Sequence, residues 1–183
     1  VPIKSPGLTF GAQEKKMGWN AQPTSMVYFE DVHVPVPNLV GSEGEGFKIA
    51  MAGLDGGRIN IAACSLGAAQ SAFDKAVAHM HDRHAFGKQL TELQALQFKI
   101  ADMETDLQAA RIFLYQAAWK LTKNLPDATK HSAMVKRLVT DIGFSVANEA
   151  LQIHGGYGYL KEYGIEKIVR DLRAHQILEG TNE

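Results

Sequence analysis

Strand-like alternation gives way to helical spacing near Gly44 of this chain. In MVYFEDVHV, residues 26–34, Val27, Phe29, Asp31 and His33 point one way on an extended backbone and Tyr28, Glu30, Val32 and Val34 the other. That is a period of two, though an imperfect one. The flanking residues carry Pro2, Pro6, Pro23, Pro35 and Pro37, five of the six prolines, and Val, Tyr and Phe favour extended backbone. Residues 1–41 are therefore expected to hold a short antiparallel sheet with one strand near an edge.

Beyond Gly44 the apolar positions follow a helix. Ile59, Ala62, Leu66, Ala69, Phe73, Ala76 and Met80 are spaced by threes and fours and line one face. Leu93, Leu96, Ile100, Met103, Leu107, Ala110, Leu114, Ala117 and Leu121 repeat the pattern over a long second helix that Pro126 should end. A third stripe, Val135, Leu138, Ile142, Val146, Ala150 and Ile153, comes after Asp127 as an N-cap and stops at Gly155 and Gly156. A shorter fourth helix is predicted over Tyr163–Arg173. The run DGGR, Asp55 to Arg58, reads as a helix break with Asp55 capping the next helix. The expected fold is α+β and mainly α: the β segment in residues 1–41, then a four-helix bundle over 42–183. Apolar stripes of this kind bury against each other or against another subunit.

Composition narrows the function classes. The 183 residues, 45% of them hydrophobic, are enough for a sizeable core. Lys and Arg total 19 against 20 Asp and Glu, and no basic run is interleaved with aromatics, so a nucleic-acid surface is not indicated. Cys64 is the sole cysteine, which excludes an intrachain disulfide and a cysteine-based metal site and fits a reducing compartment. The longest apolar run, INIAACSLGAA, is interrupted and too short to span a bilayer, which takes about 20 residues. In HMHDRH only His81 and His84 share a helix side, and without a third ligand no metal site is expected. The opening VPIKSPGLTF reads as the middle of a longer polypeptide.

One acidic residue stands in a setting suited to proton transfer. In HQILEGTNE, Glu179 follows Ile177 and Leu178 and precedes Gly180, which lets backbone approach whatever lies beside the carboxylate. On its own this is also how an ordinary loop looks. HGGYGY, residues 154–159, reads alone as a helix stop and a turn.

Taken together the fragments are not independent. MGWNAQPTSMVYFEDVHVPVPNLVG, GEGFKIAMAGLDGGRINIAACSLGAA, DRHAFGKQL, LQIHGGYGYLKEYGIEKIVRD and HQILEGTNE occur in an order and spacing that resemble the acyl-CoA dehydrogenase family over essentially the whole chain. The match is to the C-terminal half of such an enzyme, and several segments look most like members that act on isobutyryl-CoA. The resemblance implies that Glu179 is the catalytic base and that Asp55, Gly56, Gly57, Arg58 and Gly180 contact acyl-CoA, with Arg58 near Glu179. It implies FAD contacts, some across a subunit boundary, from Arg83, Phe86, Gln94, Gln152, Ile153, His154, Gly155 and Gly156, and from Thr181, Asn182 and Glu183. It also implies a short or branched acyl-CoA as substrate, electron-transfer flavoprotein as acceptor and a homotetramer built as a dimer of dimers. A home in the bacterial cytoplasm or the mitochondrial matrix goes with these.

Relative to the family, the chain lacks the domains that would cover the flavin ring and the helix that would brace Glu179, so residues 175–183 are expected to fray. The residue types suit the chemistry: a thioester α-proton needs a base, and a β-hydride needs a flavin, since no side chain accepts hydride. A non-catalytic helical assembly module that retains the family motifs is the alternative.

Overall fold

The computed structural model describes residues 1–183, which divide into two compact units, Val1–Ala52 and Gly53–Glu183. In the first, β1 (Leu8–Gln13) pairs antiparallel with β2 (Ser25–Phe29). Leu8 faces Phe29, Thr9 faces Tyr28 and Phe10 faces Val27, and a bulge precedes the pairing of Gln13 with Ser25. The strand expected to reach Val34 stops at Phe29, because Asp31 turns into left-handed backbone with φ 49° and breaks the extended run. Gly7 is required where it stands: at φ 80°, an added Cβ would lie 1.9 Å from the Glu30 carbonyl oxygen. The Glu30 N–H closes that corner by donating to the Gly7 carbonyl.

Helix α1 (Gly46–Asp82) starts within the first unit and continues through the second. The break expected at Asp55–Arg58 does not occur; the helix runs on through Gly53, Gly56 and Gly57. Each interior glycine costs a helix about 1 kcal/mol relative to alanine, and tertiary contacts of Asp55 with Thr129 and of Arg58 with the Glu179 carbonyl offset it here. After α1 a tight hairpin pairs β3 (His84–Ala85) with β4 (Lys88–Gln89), its turn made by Phe86 and Gly87 at φ 56° and 75°. Two successive left-handed residues match the twist of a two-residue hairpin.

The rest of the second unit is α2 (Gln94–Thr122), α3 (Ala128–His154) and α4 (Ile165–His175). Helix α2 stops before Pro126, because Asn124 takes left-handed backbone at φ 50° and turns the chain first. Asp127 stands at the N-cap position of α3 without capping it. Its carboxylate instead accepts from Lys120 at 2.5 Å and lies 3.4 Å from His131 Nδ1. Helix α3 ends as its glycines foretell, with Gly155 at φ 57° and ψ −139°. Two 3-10 turns and a left-handed Gly164 then lead into α4.

The core is made of large residues set among small ones. Leu107, Ile165, Leu172, Val135, Val139 and Val146 fill it, and Ala62, Ala69, Ala72, Ala76, Ala110, Ala117, Ala147 and Ala150 are fully buried between the helices. Leu138, expected inside, is exposed, and its neighbour Val139 takes the core position. Helices α1 and α3 run side by side in the same direction, since the Asp55–Thr129, Ser65–Gly143 and His79–His154 contacts occur in the same order along both. Gly143 permits the middle contact, as an added Cβ would sit 3.2 Å from the Ser65 carbonyl oxygen.

Leu107→Ala removes a fully buried side chain from the centre of α2, and should destabilise the helical unit by about 2–5 kcal/mol. Urea denaturation followed by circular dichroism measures the loss.

Candidate active site

The turn after α4 is held on α3 by hydrogen bonds. His175, the last residue of α4, is buried, and its Nδ1 shares a hydrogen bond with Ser65 Oγ on α1 at 2.5 Å. Gln176 Nε2 donates to Asp141 Oδ1 at 2.8 Å. Glu179 and Gly180 then adopt left-handed backbone, at φ 58° and 97°. The chain bends back, and the Asn182 N–H donates to the Gln176 carbonyl at 3.1 Å. Asn182 Nδ2 reaches Asp141 Oδ1 at 2.7 Å and Thr140 Oγ1 at 2.9 Å. Lys136 Nζ donates to the Gly180 carbonyl at 2.6 Å and to Asn182 Oδ1 at 2.7 Å. The segment expected to fray, residues 175–183, is thus hydrogen-bonded to Lys136, Thr140 and Asp141 on α3.

This turn brings Glu179 against α1. A Cβ on Gly57 would lie 2.5 Å from Glu179 Oε2, so glycine lets the carboxylate lie directly against the helix where a side chain would turn it aside. One residue on, Arg58 Nε donates to the Glu179 carbonyl at 3.4 Å. Arg58 is also 3.5 Å from Asp55, whose other oxygen accepts from Thr129 Oγ1 at 2.5 Å. A cleft of about 310 Å³ opens here, lined by Arg58, Met134, Lys136, Arg137 and residues 179–183. Lys136 is only 3% exposed. Burial holds its ammonium below the usual lysine range; Asp141, Glu179 and Glu183 pull it back up, and Arg58 pushes it further down. A carboxylate at the mouth of an open cleft can accept a proton from a bound molecule.

A second cleft, of about 330 Å³, lies where α1 and α3 end. Its walls include His79, Arg83, Ile153, His154, Gly155, Gly156 and Tyr157. The Arg83 guanidinium lies 5.3 Å from the centre of the Tyr157 ring. His79 stacks on His154 with 4.3 Å between ring centres and 19° between planes. The Nδ1–H of His154 donates to the Ala150 carbonyl at 2.7 Å, which fixes that ring. Burial lowers the His79 pKa, and the neighbouring His154 and Arg83 lower it further against a smaller pull from Asp82. At Gly155 and Gly156 an added Cβ would meet nothing within 4 Å, so their backbone faces open space.

The residues singled out in the sequence thus fall into two groups. Asp55, Gly56, Gly57, Arg58, Glu179, Gly180, Thr181, Asn182 and Glu183 belong to the first end of the α1–α3 pair, and Arg83 and Ile153–Gly156 to the other. Phe86, 93% exposed at the hairpin tip, lines neither cleft, and neither do Gln94 and Gln152. Sequence reading missed Lys136, Asp141 and Gln176, and at the other end His79 and Tyr157. Lys136 carried a signal: it lies in line with Ser132, Thr140 and Gly143, a second set of small and polar positions on α3 that is also buried.

Comparison with known proteins places the fold in a family. The profile described as acyl-CoA dehydrogenase, C-terminal domain, matches residues 44–183. The chain belongs to the acyl-CoA dehydrogenase family. It is 52% identical over 179 residues to mitochondrial isobutyryl-CoA dehydrogenase of Bos taurus, covering 98% of this chain and 43% of that protein. The butyryl-CoA dehydrogenase structure from Megasphaera elsdenii superposes with a TM-score of 0.96 at 45% identity, covering 100% of this chain and 47% of that one. A structure described as the electron transferring flavoprotein of Acidaminococcus fermentans matches with a TM-score of 0.95 at 45% identity, covering 98% and 47%. The chain therefore spans less than half the length of these relatives. Acyl-CoA dehydrogenases are flavin-dependent oxidoreductases with a helical C-terminal domain, and this chain's relatives include mitochondrial and bacterial enzymes. No helix here is long and apolar enough to cross a membrane.

Burial lowers the His175 pKa to about 4, against an upward pull from Asp171 and with a further push down from Lys136. Between the ordinary histidine value near 6.5 and about 4, the unfolded chain binds a proton that the folded one refuses. Stability should fall as pH drops through that window, by up to about 1.4 kcal/mol per pH unit, and this contribution should level off below it. Denaturation curves from pH 7 to 4 should show a shallower slope for His175→Asn, whose amide can still meet Ser65.

Proposed function

We propose that this chain supplies the C-terminal part of an FAD-dependent acyl-CoA dehydrogenase that converts a short or branched acyl-CoA, isobutyryl-CoA foremost, to the 2,3-enoyl-CoA. The observation that carries this reading is the placement of Glu179: a carboxylate on left-handed backbone, packed on the bare face of Gly57 beside Arg58, at the mouth of a cleft. Glu179 takes the α-proton of the thioester substrate. Bound FAD supplies the acceptor for the β-hydride. Two C–H bonds break, one C=C bond forms, the proton rests on Glu179 and the electron pair leaves with the hydride. Asp55, Gly56, Gly57, Arg58 and Gly180 border the place where acyl-CoA would lie.

The cleft at the far end of the helix pair suits the anionic part of the cofactor. The Arg83 guanidinium supplies donors, and the glycine backbone at Gly155 and Gly156, open where side chains would stand, allows the close approach that a diphosphate needs. Phe86, Gln94, Gln152, Ile153 and His154 would flank the remainder of the dinucleotide, and Thr181, Asn182 and Glu183 would meet the flavin that serves Glu179. Similarity to the Acidaminococcus structure supports electron-transfer flavoprotein as the acceptor. Exposed Ile112, Tyr115 and Trp119 on α2 form an apolar stripe that supports assembly, with a dimer-of-dimers tetramer as the proposed form. We place the enzyme in the bacterial cytoplasm or the mitochondrial matrix. The module reading shares that stripe, but gives no reason for Gly57 to make room for Glu179.

In the flavin-loaded enzyme, Glu179→Gln preserves size and removes the base. Anaerobic bleaching of the flavin by isobutyryl-CoA should nearly vanish while the acyl-CoA still binds, and bleaching at the wild-type rate with every short acyl-CoA would reject the assignment. Arg83→Ala removes a charge-assisted contact worth about 1.5–3 kcal/mol. Flavin retention, measured by equilibrium dialysis, should weaken accordingly.

A further inference from the structure

We infer that Lys136 is a positioning residue: its buried ammonium clamps the Glu179–Gly180 turn and so fixes where the Glu179 carboxylate points. The inference rests on the reading of Glu179 as base. Both acceptors of the ammonium belong to the turn, the Gly180 carbonyl at 2.6 Å and Asn182 Oδ1 at 2.7 Å. The side chain is 3% exposed, and a cation so far from water persists only where it is paired. Packing alone would be met by any aliphatic residue, as it is by Val135 and Val139 on the same helix.

The turn needs such a hold. Glu179 is not a glycine, yet it sits at φ 58°, in the left-handed region that favours glycine. Within the segment, one backbone bond from Asn182 to Gln176 closes the bend. Lys136 supplies the contact one residue beyond the base, from the helix opposite Gly57. Glu179 is thus pinned from two sides, by the Gly57 face and Arg58 on α1 and through Gly180 by Lys136 on α3. The clamp acts on backbone and on Asn182 rather than on the reacting carboxylate, so it orients the base without itself exchanging a proton.

A misplacement of about 1 Å lowers a rate on the order of 100-fold. Lys136→Met, close in length and without charge, should slow single-turnover flavin bleaching by roughly 10–100-fold. It should enlarge the deuterium isotope effect at the substrate α-carbon, because proton abstraction becomes more fully rate-limiting. Amide hydrogen exchange at Gly180–Asn182 should quicken, a readout independent of turnover. In a background where Cys64 and any other reactive cysteine of the enzyme are replaced by serine, Lys136→Cys treated with 2-bromoethylamine restores an ammonium at nearly the same reach and should recover the rate.

Three outcomes overturn the clamp: a wild-type bleaching rate in Lys136→Met, a slower rate with unchanged isotope effect and exchange, or no recovery once mass spectrometry shows the introduced thiol aminoethylated. Glu179→Gln in parallel separates the two claims. If that variant bleaches normally, the base reading fails, and Lys136 stands or falls on hydrogen exchange alone.

Discussion

The close contact of Gly143 on α3 with Ser65 on α1 sets the distance on which the rest of the helical unit depends. A side chain at position 143 would meet the Ser65 backbone at 3.2 Å, so the two helices lie as near as they do because one residue contributes none. Ser65 then has its hydroxyl on His175, which fixes the end of α4. Arg58 and Lys136 each stand seven residues before the contact on their own helices, about two turns away. The helices reach the Glu179 turn from both sides because their separation was fixed at Ser65 and Gly143.

Much of the fold could be read from apolar spacing, and the exceptions are local. The α1 and α2 stripes lie on the buried side, with Ala62, Leu66, Met103 and Leu107 among the least exposed residues. Periodicity failed where a neighbour outvoted it. DGGR is helical because tertiary contacts through Asp55 and Thr129 and through Arg58 hold it, against local glycine propensity. Leu138 yields its place to Val139 because the face of α3 is shared between α1, α2 and α4, a broader arc than one stripe describes. At the site, Glu179 was visible as a motif, whereas Lys136 and Asp141 were not. Their importance comes from the chain folding back onto them more than forty residues later in the sequence.

Electrostatics at the Glu179 end depend on burial as much as on charge. Arg58, Lys136 and Arg137 line one cleft with Glu179 and Glu183, and Asp141 tempers the buried lysine from behind. Arg58 and Lys136 are held by backbone, carboxylate or amide oxygens, so the cleft has a fixed arrangement of charge rather than mobile side chains. Preorganised charge of this kind favours a reaction in which negative charge develops on a substrate, since no reorganisation is needed when it appears.

The parallel run of α1 and α3 also separates the two clefts. From Asp55, at the Glu179 end, to His79, beside Arg83, α1 advances 24 residues, about 36 Å of helix. A straight helix cannot shorten that distance, and one dinucleotide would have to stretch along the whole bundle to touch both ends. Under the proposed reading, the base of a chain and its diphosphate cleft therefore serve different flavins. Each complete site then draws Glu179 from one copy and Arg83 from another. The exposed apolar stripe of α2 acquires a purpose in that arrangement: the subunits must meet closely enough for one chain's hairpin end to reach its partner's cofactor. Assembly is thus a condition of the chemistry in this reading, imposed by helix length.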